Sequence, residues 1–436
     1  MTIDRPDPAS ALSTTSTTSS SSTASPTSPA SAPSAPLTAQ FPADFLWGTA
    51  TAAHQVEGGN VGSDWWRREH RADTDLTEPS GDAADSYHRW PEDLDLVRAA
   101  GLQVYRFSVE WARVQPEPDF VSRAQLDHYR RLIDGCLERG LTPMVTLHHT
   151  TNPLWFARSG GWAQDQAPDR FARYVEAVRP ILSAGVEWVC TINEPNMVAT
   201  HCDWAAAEMR QVKRPAPDPV ASQHLIEAHL RARQILSGID GLRSGWTIGA
   251  QDFEALPGAE AVARAFGHPR EDCFIEAARQ DDFIGVQNYS RNLIGPTGPV
   301  PLPPEVETNL LGWEYYPASL GRAVQHVWRV GGGRPVFVTE NGFATRQDAR
   351  RIDHTAAALV SLGQAMASGV EVLGYLYWSL LDNYEWGSYE PTFGLVAWDR
   401  TTFERRPKPS LAWLAQVSRT GRVALDAAGH ALDRPA

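Results

Sequence analysis

Eight short apolar runs recur between Phe41 and Ser379, most of them followed by a longer stretch with helical periodicity, and this alternation constrains the fold more than any other feature. The runs are Phe45 to Thr51, Val104 to Trp111, Pro143 to His149, Val186 to Asn193, Trp246 to Phe253, Phe283 to Tyr289, Pro335 to Thr339 and Val372 to Ser379. The helical stretches include Pro91 to Ala100, Ala124 to Arg139, Pro168 to Ala184, Pro219 to Leu236, Pro317 to Val330 and Asp353 to Ser368. Several begin at or just after Pro or Asp and stop near Gly101, Gly140, Gly185 or Gly369, which are ordinary start and stop signals. Repeated βα units imply a parallel sheet, and eight of them make an α/β chain of the (β/α)8, or TIM-barrel, class. No low-complexity linker interrupts the series. One domain is therefore predicted over residues 39–420, with residues 421–436 as a C-terminal tail.

The segment from Pro8 to Pro36 is almost entirely Ser, Thr, Ala and Pro, too poor in large apolar groups to offset the entropy of ordering, so residues 1–38 are expected to be a disordered tail. Only Arg5 is basic before Arg67 and the middle of the segment is rich in hydroxyls, so it does not read as a secretory signal and a cytoplasmic location is expected. The net charge is -13, with no Lys/Arg block, which argues against a nucleic-acid groove or an anionic-membrane patch. No apolar run reaches the length that a membrane-spanning helix needs. Cys136, Cys190, Cys202 and Cys273 lack zinc-site spacing and read as free core thiols, and no metal or organic cofactor is expected.

Polar residues that end apolar strands are what a barrel enzyme shows, because its active site is assembled at the C-terminal mouth. Here the strand ends carry Arg106 in YRFSVEW, His149 in VTLHH, Asn193 and Glu194 in VCTINEP, Asn288 and Tyr289 in GVQNY, Glu340 in VFVTENG, and Trp378 in GYLYWSLL. Glu194 and Glu340 would meet from strands four and seven. Paired carboxylates are the minimum equipment for glycoside hydrolysis, although two structural ion pairs would leave the same spacing. Sixteen tryptophans add potential stacking platforms for sugar rings, though most Trp residues simply fill a core.

At these residues the chain resembles glycoside hydrolase family 1, the retaining β-glucosidases and β-galactosidases. The likeness covers residues 41–416 and runs in order through FPADFLWGTATAAHQVEGG, YRFSVEWARVQP, TINEPN, VTENGF, YWSLLDNYEWGSYEPTFGLVAWD and RRPKPS. The resemblance implies Glu194 as acid/base and Glu340 as nucleophile, with Asn193 on the sugar 2-hydroxyl and Arg106 and Tyr289 flanking Glu340. It also implies a pocket for the non-reducing sugar lined by Gln55, His149, Tyr289, Trp378, Glu385 and Trp386. The implied partner is a small-molecule β-glycoside. Glu385 would repel a 6-phosphosugar, and Glu194 stands where thioglucosidases of the family carry Gln, so O-glycoside hydrolysis is expected. A transglycosylase on the same residues is the alternative. A non-catalytic sugar-binding barrel is a further one, although it would be expected to have lost one of the two glutamates.

Three segments depart from the family pattern. Thr150-Thr151-Asn152-Pro153 replaces Trp-Asp-Leu-Pro, removing an aromatic wall; Ser290 stands for the second Tyr of Asn-Tyr-Tyr; and Met197 to Pro219 lacks the usual Gly-rich loop. The segment between Ser290 and Trp313, with GPTGPVPLPP at its centre, reads as a loop at the barrel mouth. Leaving-group choice is therefore left open by the sequence.

Overall fold

Eight parallel strands close into a barrel in the computed structural model, which describes residues 37–201, 203–204, 211–212 and 216–434. The strands are β1 (Leu46–Ala50), β2 (Val104–Ser108), β3 (Thr142–His148), β4 (Trp188–Asn193), β5 (Arg243–Gly249), β6 (Ile284–Gln287), β7 (Val336–Asn341) and β8 (Val372–Trp378). Each pairs with the next in sequence, and β8 returns to β1 with Gly374 opposite Leu46 and Trp378 opposite Ala50. Around them lie α1 (Ser86–Ala99), α2 (Arg123–Glu138), α3 (Ala167–Leu182), α4 (Pro219–Leu236), α5 (Asp272–Ala277), α6 (Ser319–Val330), α7 (Asp348–Ala367) and α8 (Pro409–Thr420).

The strands read as continuous apolar runs because both of their faces are covered. Outward residues such as Val145, Val189, Ile248, Val286 and Val338 join Leu94, Ile133, Val178, Leu225, Val324 and Leu359 in one large core cluster. Inward residues, mainly from the N-terminal halves of the strands, form a separate plug of Val104, Met144, Trp188, Cys190, Phe283, Phe337 and Leu376. In that plug the Trp188 ring meets Phe283 edge-on at 5.3 Å and Phe337 at 5.6 Å, contacts that add about 1 kcal/mol each beyond burial. With the lower barrel filled, the polar strand ends gather at the C-terminal mouth.

Several boundaries differ from expectation. α1 starts at Ser86 and runs through Pro91, so the proline is inside the helix rather than at its start. α4 does start at Pro219, because the Asp218 carboxylate accepts from the N–H groups of Val220 and Ala221, both at 2.9 Å. The fifth apolar run is two elements. β5 ends at Gly249, the chain turns out through Asp252 at φ 43°, and Phe253–Ala255 joins a separate small sheet. The partners in that sheet are Asn292–Gly295 and Gly298–Pro299, so the expected mouth loop is in part a hairpin.

The C-terminal segment is not a free tail. Arg422–Leu425 pairs antiparallel with Leu37–Gln40, burying Val423 and Leu425, and Ala431 donates its N–H to Asp353 at 3.0 Å. The expected N-terminal tail otherwise lies outside the described residues. Cys136 and Cys190 are buried free thiols, Cys273 is only half-buried, and Cys202 lies outside the described residues. Among the described residues no helix is long and apolar enough to cross a membrane, and no cluster of three or more His, Cys, Asp or Glu side chains could hold a metal ion.

Candidate active site

Glu340 is the fifth residue of β7; strict alternation from inward Phe337 and outward Val338 would turn it outward, but the strand register shifts between Val338 and Asn341, and its side chain lines a cavity of about 690 Å³ at the barrel mouth. Both of its oxygens are engaged. Oε1 accepts from Arg106 Nη1 and from Gln287 Nε2, each at 2.6 Å, and Oε2 accepts the Tyr289 hydroxyl proton at 2.7 Å. Arg106 comes from β2 and is wholly buried beneath Glu340, with Nε on Thr146 Oγ1 at 3.0 Å and Nη2 on Asn193 Oδ1. Burial pushes Glu340 above the ordinary carboxylate range, while the Arg106 charge and the Tyr289 hydrogen bond pull it back. Removing one partner of such a buried pair typically costs about 3–5 kcal/mol.

Asn193 ends β4 with its carbonyl oxygen crowded by donors. Oδ1 accepts from Arg106, from Gln287 Nε2 at 2.7 Å and from Thr247 Oγ1 at 3.1 Å. The amide nitrogen is then the end left to meet a ligand hydroxyl.

Glu194 follows at once, at φ 43°, with its backbone N–H on Thr247 O at 2.8 Å. Its carboxyl lies over Gly249. A Cβ at position 249 would sit 2.8 Å from Glu194 Oε1, so glycine makes room for the acid. Burial, the Glu340 charge and the Glu385 charge push Glu194 up to about 8, with Arg106 opposing. The two carboxyls therefore differ in kind: one is held by a guanidinium, an amide and a phenol, the other is pressed toward its protonated form by desolvation and like charge.

A second wall carries Gln55, His149, Trp378, Glu385 and Trp386. Gln55 Nε2 donates to Asn383 Oδ1 at 2.9 Å and to Glu385 Oε2 at 3.3 Å, while Trp378 Nε1 donates to Glu385 Oε1 at 3.1 Å. His149 lies between the Trp378 and Trp386 rings, at 5.9 and 6.2 Å, and burial holds its imidazole neutral, well below its usual range. Trp386 is braced from behind by His54, stacked at 5.8 Å and itself tied to Glu69 at 2.8 Å and to Asn60 at 3.0 Å. All the site residues expected from sequence line this cavity except Arg106, which supports it from below.

Gln287 was missed, although a signal was present. Phe283 lies in the inner plug, and alternation from it carries Gln287 and Tyr289 inward and Asn288 outward. Asn288 donates to Ala250 O and accepts from Ser319 Oγ, both at 2.7 Å, away from the carboxylates. The substituted segment after His149 also behaves differently from a simple loss. Thr150 lines the cavity at φ 67°, and Asn152 accepts from Trp162 Nε1 at 3.1 Å, which brings the Trp162 indole to the same wall.

A model of the family described as "Glycosyl hydrolase family 1" matches residues 37–244 and 278–422. The chain belongs to glycosyl hydrolase family 1. It is a glycoside hydrolase on a (β/α)8 barrel, from a family of retaining enzymes. Among its relatives, it is 31% identical to "Beta-glucosidase A" of Thermotoga maritima, covering 87% of this chain and 97% of that one. It is 32% identical to "Thermostable beta-glucosidase B" of Thermobispora bispora, covering 87% and 90%. A crystal structure of β-glycosidase BGL167 superposes with a TM-score of 0.81 at 42% identity, over 87% of this chain and 97% of that one. The Thermotoga maritima β-glucosidase in complex with glucoimidazole gives a TM-score of 0.80 at 28% identity, over 88% and 99%.

Proposed function

We propose that this family 1 enzyme hydrolyses terminal non-reducing β-D-glucosyl or β-D-galactosyl residues, with Glu340 as nucleophile and Glu194 as acid/base. The observation that carries the assignment is the unequal environment of the two carboxyls. A double displacement needs one carboxylate ionised and aimed, and one carboxylic acid that still holds its proton near neutral pH. Glu340, clamped by Arg106, Gln287 and Tyr289, suits the first role. Glu194, raised to about 8, suits the second.

In the first step Glu340 attacks the anomeric carbon while the Glu194 proton passes to the departing oxygen, leaving a glycosyl ester on Glu340. In the second, ionised Glu194 takes a proton from water as that water displaces Glu340, and the sugar leaves with its configuration retained. Asn193 donates to the sugar 2-hydroxyl, a bond that strengthens as positive charge develops at the anomeric carbon. Gln55, His149 and Glu385 engage the remaining hydroxyls over the Trp378 and Trp386 faces. The glucosyl reading is supported by the names of the relatives, and the ionised form of Glu385 would repel a 6-phosphosugar.

Inactivation with 2,4-dinitrophenyl 2-deoxy-2-fluoro-β-D-glucoside tests the assignment. The expected result is one label per chain on the peptide that carries Glu340; a label on Glu194 would reverse the roles.

A further inference from the structure

The leaving oxygen must lie beside Glu194, which protonates it, so the surfaces around and outward of Glu194 are the ones that meet the leaving group. The inference drawn from them rests on the function proposed above. Met197, one turn after Glu194, places its Cγ beside that carboxyl: a Cβ built on Gly249 would lie 2.8 Å from Glu194 Oε1 and 3.3 Å from Met197 Cγ. Beyond Met197 the hairpin that follows β6 carries Leu293, Val300 and Leu302 onto the cavity wall. Val300 donates its N–H to Leu293 O at 2.8 Å, which fixes the two on one small surface. Trp313 completes the rim, with its ring 5.5 Å from Tyr289 and therefore close to the nucleophile. Val300 and Trp313 are 37% and 39% exposed, an apolar rim that faces solvent.

Several polar side chains of this wall already have partners within the protein. Arg291 is gripped by Glu314 at 2.8 Å through both of its oxygens and by Glu254 at 2.9 Å, and its guanidinium lies 3.6 Å over Tyr316. Ser290 donates to Glu314 O at 2.8 Å, Asn292 donates to Gln251 O at 3.0 Å, and Gln251 turns its amide to Met197 Sδ at 3.5 Å. The contrast with the opposite wall decides the chemistry. There Gln55, His149 and Glu385 present directed polar groups suited to a ring of hydroxyls; here, among the described residues, the side-chain carbon of Met197, Leu293, Val300, Leu302 and Trp313 stands beside polar groups that already have partners within the protein.

We infer that the leaving-group side of this enzyme binds an apolar alcohol, alkyl or aryl, in preference to a second sugar. Among the described residues a sugar in this place would find few uncommitted partners for its hydroxyls, whereas each methylene taken fully out of water strengthens binding by up to about fourfold.

The test is kcat/KM, from released glucose, for methyl, butyl, hexyl and octyl β-D-glucosides and for cellobiose, all below the micelle concentration of the octyl compound. From butyl to octyl the intrinsic reactivity of the leaving alcohol hardly changes, so the trend reports contact with the wall. The expected result is a rise of at least about tenfold from butyl to octyl, with octyl glucoside at least about tenfold above cellobiose. Replacing Leu293 and Val300 together by Ser should shrink the octyl-to-butyl ratio to below about threefold, and Trp313→Ala, which leaves the hairpin untouched, should shrink it independently. A flat alkyl series, or cellobiose equal to octyl glucoside, overturns the inference while 4-nitrophenyl β-D-glucoside is still turned over. Failure to turn over both 4-nitrophenyl β-D-glucoside and 4-nitrophenyl β-D-galactoside overturns the proposed function and this inference with it; turnover of the galactoside alone moves the same alkyl series to galactosides.

Discussion

Gln287 ties Glu340 to Asn193: its single amide nitrogen donates one proton to the carboxylate at 2.6 Å and the other to the asparagine carbonyl at 2.7 Å. The group proposed to attack the anomeric carbon and the group proposed for the 2-hydroxyl are thus held in one register by a third side chain, itself buried at the end of β6.

Gln287→Leu removes a hydrogen bond to a charged group of nearly unchanged bulk. Such a bond contributes about 1.5–3 kcal/mol, so kcat/KM should fall by roughly ten- to a hundredfold. Because the lost donor favoured the ionised form of Glu340, the acidic limb of the pH profile should move upward. An acidic limb that stays in place would mean that Gln287 does not act through Glu340.

Glu194 gives a stability signature with a definite sign. Its folded pKa of about 8 lies above the ordinary carboxylate value of 4.5, so its favourable contribution is fully present below pH 4.5 and is lost as the pH rises toward 8. Glu194→Gln, which stays neutral, should match the parent in Tm near pH 4 and exceed it near pH 9. Equal Tm values at both pH values would show that Glu194 titrates normally. The same pKa predicts an alkaline limb in kcat/KM near pH 8. Glu385 is raised to a similar value, so the limb belongs to Glu194 only if it survives in Glu385→Gln.

Gly249→Ala would put a methyl group 2.8 Å from Glu194 Oε1 and force the acid to move. Displacement of a catalytic group by about 1 Å can cost on the order of a hundredfold. The loss in kcat/KM, which reports the first step, should be large for alkyl glucosides, whose oxygen needs the proton, and small for a dinitrophenyl glucoside, whose oxygen does not. An equal loss for both would place the damage elsewhere than in proton donation.

Truncation after Gly421 should lower Tm by several degrees while leaving activity at 25 °C largely intact, because Val423 and Leu425 are buried far along the chain from the site residues. An unchanged melting curve would make the strand pair with Leu37–Gln40 energetically irrelevant.

The barrel and the pair of carboxyls at its mouth were legible because each rests on a signal that local sequence carries. Apolar runs of strand length report a doubly covered sheet, and glutamates just beyond such runs report a barrel mouth. The pairing of Arg422–Leu425 with Leu37–Gln40 was not legible, since four-residue strands have too little periodicity and their partners lie at opposite ends of the chain. The break at Asp252 was hidden by apolar residues on both sides of it. Gln287 could have been found by carrying strict alternation inward from Phe283. The Trp162 wall could not, because it depends on a tertiary contact with Asn152.

Azide rescue tests the central claim, that Glu340 attacks and Glu194 relays the proton, most directly. With 2,4-dinitrophenyl β-D-glucoside, Glu194→Ala should form the glycosyl ester, stall for want of a base, and be rescued by azide to give the β-glucosyl azide. Glu340→Ala should be rescued only by direct attack of azide from the opposite face, giving the α-glucosyl azide. NMR of the two products reads the outcome; an α-azide from the Glu194 variant and a β-azide from the Glu340 variant would contradict the account.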